Sequence, residues 1–290
     1  VADPRGFVRV TEVGPRDGLQ NEATFVPTDA KVAFVDALGA AGFPEIEVSS
    51  FVNPRRVPQL ADAAEVFARI ARRPGIAYSA LVPNERGMEA ALAARAGKVA
   101  VFAAASEGFS RANTGGSVDE VLARFAPVVA AAHAAGLPVR GYVSCVVRCP
   151  YDGPVAPAAV RSVVERLLAI GIDEVDLGET LGVAVPDDVA RLLEGVAPAA
   201  RPESVTLHLH DTNGRAGDNV RRALEMGVRS FDASAGGLGG CPFAPGARGN
   251  VATDLLLGVL AEEGYACGID RAAAARASSS IRQVLRPASS

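Results

Sequence analysis

Four times along this 290-residue chain a run of helical period ends in a glycine that leads straight into a β-type run: "AAGFPEIEV", "AAGLPVRGYV", "AIGIDEVDL" and "EMGVRSFDA". Glycine just past a helix takes the left-handed conformation that other residues resist, so each joint reads as helix, stop, strand. The alternation continues elsewhere. Strands are predicted at Phe7–Val13, Glu45–Ser49, Ile76–Val82, Lys98–Ala103, Val139–Val146, Glu174–Leu177, Val205–His210 and Ser230–Ser234. Helices are predicted near Thr28–Ala41, Gln59–Arg72, Glu85–Ala96, Ser117–Ala135, Ala156–Ile170, Pro186–Val196, Gly214–Met226 and Val251–Glu263. Strands alternating with helices signal parallel βαβ units. Eight units of roughly 36 residues each exceed the five or six strands usual in an open doubly wound sheet. The predicted fold is therefore α/β, a closed (β/α)8 TIM barrel. No Pro/Ser-rich linker divides the chain, so residues 1–267 are expected to form one catalytic barrel. Residues 268–290, with "RAAAARASSSIRQVLRPASS", are expected to add a C-terminal helical extension of the same domain and a frayed end.

Composition removes several classes of function. Lys and Arg number 29 against 33 Asp and Glu, a net charge of −4, which offers no basic footprint for nucleic acid. No run of 18 uninterrupted apolar residues exists, so no transmembrane helix is predicted. The first residues, "VADPRGFVRV", lack the basic-then-apolar layout of a signal peptide. Cys145, Cys149, Cys241 and Cys267 are too few and too irregularly spaced for a disulfide framework. A reducing, cytoplasmic compartment is the expectation.

Active sites of such barrels lie at the C-terminal ends of the strands and in the loops that follow. Strand 1 runs into "TEVGPRDGLQNE", which puts Arg16, Asp17 and Gln20 at the mouth. Strand 2 carries Glu47, and strand 6 ends in "EVDLGETLG", with Asp176, Glu179 and Thr180. Strand 7, "VTLHLHDTNG", holds His208 and His210, two of the chain's three histidines. Side chains two apart on a strand share a face, so both imidazoles are predicted to enter the barrel mouth. Buried structural histidines or a substrate-binding pair would read the same way, but the strand-end position favours metal ligation. Asp17 could add an oxygen ligand. Such a mixed set suits Mg²⁺ or Mn²⁺, and two imidazoles also permit Zn²⁺ or Co²⁺. Arg16 is either the structural ion-pair partner of Asp17 or a guanidinium that stabilises an oxyanion. The segment from Gly236 to Asn250 holds six glycines and two prolines, a composition suited to a moving loop with Cys241 within reach of the mouth. Cys145 and Cys149, with three residues between them, read as packing, and His133 as a surface or packing residue on a helix.

Five ordered segments, "VTEVGPRDGLQNE", "IEVSSFVNPRRVPQLAD", "YVSCVVRCPYDG", "LHLHDTNG" and "GGLGGCPFAPGARGNVAT", resemble the 3-hydroxy-3-methylglutaryl-CoA lyase family across nearly the whole chain. The resemblance implies divalent-metal-dependent retro-Claisen cleavage of 3-hydroxy-3-methylglutaryl-CoA to acetoacetate and acetyl-CoA, a step of leucine catabolism and ketone-body formation. It implies Asp17, His208, His210 and Asn250 as metal ligands, with Arg16 stabilising the enolate and Cys241 in proton transfer. Glu47 is implied as an active-site acid. An imidazole of the pair or Asp17 itself could be the base. Gln20, Arg148, Thr180 and Arg248 are taken as substrate-binding residues. The partner expected is a small-molecule acyl-CoA, and the assembly a homo-oligomer, taken as a dimer.

The chain also departs from that family. Arg56 stands where Trp is usual, Arg148 where Gly, Arg248 where Ser, and "LGET" replaces "LGDT" at Glu179. Guanidinium groups pair with carboxylate or phosphate. A related lyase or aldolase for another 3-hydroxyacyl-CoA, such as citramalyl-CoA, or for a 3-hydroxy acid is therefore the alternative. From a different class, a barrel that only binds a ligand would be signalled by failure to bind any divalent metal. Arg55, Arg56 and Arg111 are candidates for the CoA phosphates, against a solvated charged face.

Overall fold

The computed structural model describes residues 5–239 and 249–286. Eight parallel strands close into a barrel: β1 (Arg9–Glu12), β2 (Glu45–Ser50), β3 (Ala77–Leu81), β4 (Lys98–Ala104), β5 (Val139–Ser144), β6 (Glu174–Glu179), β7 (Val205–Leu209) and β8 (Ser230–Ala233). Strand β1 completes the ring by pairing with β8 through Arg9↔Ser230 and with β2 through Thr11↔Glu45. The predicted fold is the observed one. All four joint glycines have positive φ, from 73° at Gly136 to 100° at Gly227, the conformation the joints require.

Around the strands lie α1 (Thr28–Ala41), α2 (Ala63–Arg69), α3 (Glu85–Ala93), α4 (Glu107–Thr114), α5 (Val118–Ala134), α6 (Pro157–Ala169), α7 (Pro186–Val196), α8 (Ala216–Glu225), α9 (Thr253–Glu262) and α10 (Arg271–Leu285). Ser117 and Glu120 form a reciprocal cap that starts α5, and the Asp270 carboxylate accepts two amides to start α10. Three local elements differ from expectation. The helix expected over Gln59–Arg72 is a 3₁₀ turn at Pro58–Leu60 followed by the shorter α2. Gln59 is diverted there, its side chain accepting from the Val26 amide at 3.0 Å and donating to the Thr24 carbonyl at 2.9 Å. Helix α4 was not anticipated, although Ser106 precedes it and Gly115, at φ 74°, stops it. Arg148–Cys149 pairs with Gly153–Pro154 in a small antiparallel ribbon after β5.

The two faces of the barrel wall carry opposite chemistry. Outward residues such as Val10, Ile46, Val99 and Val175 pack with Phe34, Phe67, Phe125 and Leu167 of the helices, forming the apolar core. Many inward residues are polar, beside a small apolar patch of Leu81, Ala100 and Phe102. Arg140, fully enclosed, reaches Thr11 and Asp232 at 2.9 Å and Asp176, Glu45 and Glu174 at 3.3–3.4 Å. Barrels of this type usually fill that space with branched aliphatics. Here paired charges fill much of it, and they lead upward to the mouth.

Candidate active site

The site begins where β1 ends. Gly14–Gly18 forms one wide π turn, its amides at Asp17 and Gly18 both reaching the Val13 carbonyl. A Cβ on Gly14 would sit 2.6 Å from a Glu12 carboxylate oxygen, and one on Gly18 would sit 2.7 Å from the Ser234 hydroxyl. The glycines of "GPRDG" are therefore set by close approach. Glu12 staples the turn in place: it accepts from the Gly14 amide, the Ala235 amide and the Thr253 hydroxyl at 2.7–2.8 Å. Burial pushes Glu12 up to about 7 despite these three donors.

The turn presents Arg16 and Asp17. Buried Arg16 bonds Asp17 on one side and Glu47 of β2 on the other, with its guanidinium 5.5 Å from the Tyr142 ring centre. Burial raises the Glu47 carboxyl more than Arg16 lowers it. Burial opposes the Asp17 charge too, but Arg16, His208, His210 and Asn250 outweigh it and hold that carboxyl well below the usual range. The Asn250 side-chain amide donates to Asp17 at 2.8 Å.

His208 on β7 and His210 just beyond it both enter the mouth, their Nε2 atoms 3.3 Å apart. His208 Nε2 lies 3.9 Å from Asp17. One ligand atom each from Asp17, His208 and His210 falls within 4.8 Å of the others, so these three could hold a metal ion. The donor set fits a divalent cation. Burial and the neighbouring His208 lower His210 to about 4, which keeps its ring neutral. Asn250 turns its amide toward Asp17 and leaves its buried carbonyl oxygen without a partner, beside the same atoms. Two imidazole nitrogens facing each other, a carboxylate and an orphaned amide oxygen form a mixed hard and borderline set.

These groups open on a cavity of about 710 Å³, which Arg16, Asp17, Gln20, Tyr142, Thr180, His208 and His210 help to line. The Thr180 hydroxyl accepts the Cys145 amide at 2.8 Å, fixing the ends of β5 and β6 to each other. Asn53, Arg56, Asn84, Asn113, Thr114 and Arg124 line the same cavity. Arg148 is a correction: it is exposed on the small ribbon and does not line the cavity, because Cys149 turns inward there instead. Arg55 and Arg111 do not line it either, and Arg111 pairs with Glu107 on the surface of α4. Cys241 and Arg248 lie outside the described residues. Cys145 and Cys149 are buried in a small cluster with Phe109, and His133 pairs with Asp173 on the outer surface.

Sequence reasoning missed Asp232, Arg140, Tyr142 and Arg124. For the first three a signal existed. Arg140, Tyr142 and Ser144 alternate with apolar residues on β5, as Ser230, Asp232 and Ser234 do at β8. A polar period of two inside a buried strand marks a polar barrel interior.

The fold and the mouth define a (β/α)8 barrel with a metal-capable centre of one carboxylate and two imidazoles. The HMGL-like family model matches residues 8–281. Hydroxymethylglutaryl-CoA lyase of Pseudomonas mevalonii is 50% identical over 269 residues, 93% of this chain and 89% of that protein. The crystal structure of the HMG-CoA lyase from Brucella melitensis superposes with a TM-score of 0.96 at 51% identity, covering 99% of this chain and 100% of the other. The HMG-CoA lyase from Acenitobacter baumannii, solved in complex with coenzyme A and 3-methylmalate, gives a TM-score of 0.91 at 39% identity over 96% and 91% of the two chains. The chain belongs to the HMGL-like family.

Proposed function

We propose that the chain is a carbon–carbon lyase that cleaves 3-hydroxy-3-methylglutaryl-CoA to acetoacetate and acetyl-CoA. The observation that carries this is the convergence of Asp17, His208, His210 and Asn250 beside Arg16 at the cavity mouth, in a chain half identical to lyases of that name. The ligand class is supported by the coenzyme A and 3-methylmalate bound in the Acenitobacter relative.

Asp17, His208, His210 and Asn250 would hold the cation, with Mg²⁺ or Mn²⁺ favoured and Zn²⁺ or Co²⁺ compatible with the imidazoles. When bound, a divalent cation supplies Lewis acidity that makes a substrate hydroxyl easier to deprotonate. The chain's own groups do the rest. A base at the mouth, Asp17 or an imidazole, takes the proton of the 3-hydroxyl. The C2–C3 bond then breaks: C3 becomes the ketone of acetoacetate, and the electron pair passes to C2 as a thioester enolate. Arg16, held rigid between Asp17 and Glu47, stabilises the enolate oxygen. A proton returns to C2, for which Cys241 is our candidate donor. Gln20 and Thr180 contact the acyl group, and Arg248 is our further candidate for it. Arg56 and Arg124 on the cavity wall suit the CoA phosphates.

The test is acetyl-CoA release from 3-hydroxy-3-methylglutaryl-CoA with Mg²⁺ or Mn²⁺, with EDTA, and with His208→Ala. Release that needs metal and disappears in the variant is expected. Absence of release from a protein that still binds metal would refute the substrate. Because Arg56 lines the cavity, citramalyl-CoA is the second substrate to assay, and faster turnover of it would replace the first reading. No helix among the described residues is long and apolar enough to cross a membrane. A cytoplasmic dimer is the setting we propose, read by fractionation and light scattering.

A further inference from the structure

The two histidines at the mouth are held differently. His208 Nδ1 lies 3.1 Å from Asp232 Oδ2 of β8, whereas His210 Nδ1 is buried without a hydrogen-bond partner. Asp232 is itself fixed: its Oδ1 accepts from Arg140 at 2.9 Å, and its Oδ2 accepts the Tyr142 hydroxyl at 3.4 Å. The Tyr142 ring meets His208 edge-on, 6.2 Å between centres and 85° between planes. Thr11 takes a second arm of the Arg140 guanidinium at 2.9 Å. A carboxylate can only accept, so the nitrogen facing it carries the proton, and in a neutral ring the other nitrogen keeps its lone pair.

We propose that Asp232, anchored by Arg140 and Tyr142, is a positioning residue that fixes the tautomer and plane of His208 so that its Nε2 lone pair faces Asp17 and His210. The inference rests on the reading that these residues hold a divalent cation, and it makes the two imidazoles unequal ligands. His208 is preset before any cation arrives. His210 has no such partner and must be oriented by the cation itself. A second partner of this kind typically carries 10–100-fold in metal affinity.

Two measurements test it. In metal-free wild-type protein near pH 8, ¹⁵N shifts of the histidine rings should give His208 as the Nδ1–H form. The Nε2–H form would overturn the proposal, whatever the metal result. Second, Mn²⁺ titration followed by electron paramagnetic resonance should give a 10–100-fold larger Kd for Asp232→Asn. Glu174→Gln removes the charge of a carboxylate that also faces Arg140 but has no bond to Asp232, and is the control, with a change of about threefold or less expected. Equal losses in both variants, or none in Asp232→Asn, would refute positioning. If wild-type protein binds no Mn²⁺, the metal reading itself fails while the ring tautomer still decides the role of Asp232. If Asp232→Asn does not fold, the wild-type tautomer decides.

Discussion

The two ends of the barrel interior use the same kinds of residue and differ in how completely they are satisfied. At the N-terminal end, Lys98 is held by Glu45 and Glu174, Arg9 pairs with the same two carboxylates, and Arg140 closes the set. No polar side-chain atom of these five residues is buried without a partner. At the C-terminal mouth, Glu47 Oε1, His210 Nδ1 and Asn250 Oδ1 are all buried and unpartnered. An orphaned buried polar group costs about 1–3 kcal/mol. The lower end is thus complete as structure, whereas the upper end keeps unsatisfied groups that only a ligand or a rearrangement can relieve.

Breaking the lower end should give the largest effect, and on stability alone. Lys98→Met leaves Glu45 and Glu174 short of a buried cation, and loss of one partner from such a set costs about 3–5 kcal/mol. Urea denaturation should show that loss while the folded fraction keeps its turnover within about threefold, a band set by the distance of Lys98 from the mouth. Full stability with lost turnover would reverse the division between the two ends. Arg16→Gln is the counterpart at the upper end. Removing one fixed charge-stabiliser costs about 10²–10³ in kcat. A steady-state assay on the folded fraction should find that drop. The stability loss beside it should be of the same order as in Lys98→Met, because Arg16 too is a buried cation shared by two carboxylates. An unchanged kcat would remove Arg16 from the chemistry.

The same contrast explains what could be read from sequence. The barrel was legible because its determinants are local: four glycine stops and strand runs at β4, β5 and β7 that fold within two residues of the predicted limits. Asp17, His208, His210 and Asn250 were legible as candidates through short motifs, and they do converge. The charged interior was not. Arg140 and Asp232 are 92 positions apart, and nothing local says that a guanidinium on β5 meets a carboxylate on β8. Arg148 misled for the related reason that its neighbour Cys149, and not its own side chain, faces inward. Helix α4 and the ribbon were missed because elements of two to eight residues carry too little periodicity to register.

Titration should separate one carboxyl of the floor from one at the mouth, Glu174 and Glu12, with opposite signs. Burial works against the Glu174 charge, but Arg140 and Lys98 outweigh it and bring that carboxyl down to about 2. A folded-state value below the ordinary 4.5 contributes stability that is present above about pH 4.5 and lost as pH falls toward 2. Glu12 at the mouth is the reverse. Its value of about 7 means the native state holds a proton that the unfolded chain has released, so its contribution is full below pH 4.5 and lost as pH rises through 7. Stability measured by denaturant at a series of pH values should rise from pH 2 to 4.5 and then decline toward 7. Glu12→Gln should make the second limb shallower, Glu179 still contributing to it, and leave the first. An undiminished decline in that variant would assign it to another group, with Glu179, also pushed up to about 7 by burial, the next to test.

The smallest effect expected is also the most local. Thr253 donates its hydroxyl to Glu12 at 2.7 Å, and Thr253→Val keeps the shape while removing that donor. At pH 5 Glu12 is protonated, so a neutral hydrogen bond is lost, worth about 1 kcal/mol; at pH 8 the partner is a carboxylate and the loss rises to about 2 kcal/mol. Paired urea curves at the two pH values read the difference directly. The cost should grow with pH because the variant leaves one carboxylate oxygen bare just where the charge appears. Equal cost at both values would mean that Glu12 does not change its charge across that range, and Glu12 would then lose the pH signature that sets it apart from Glu174 on the charged floor of the barrel.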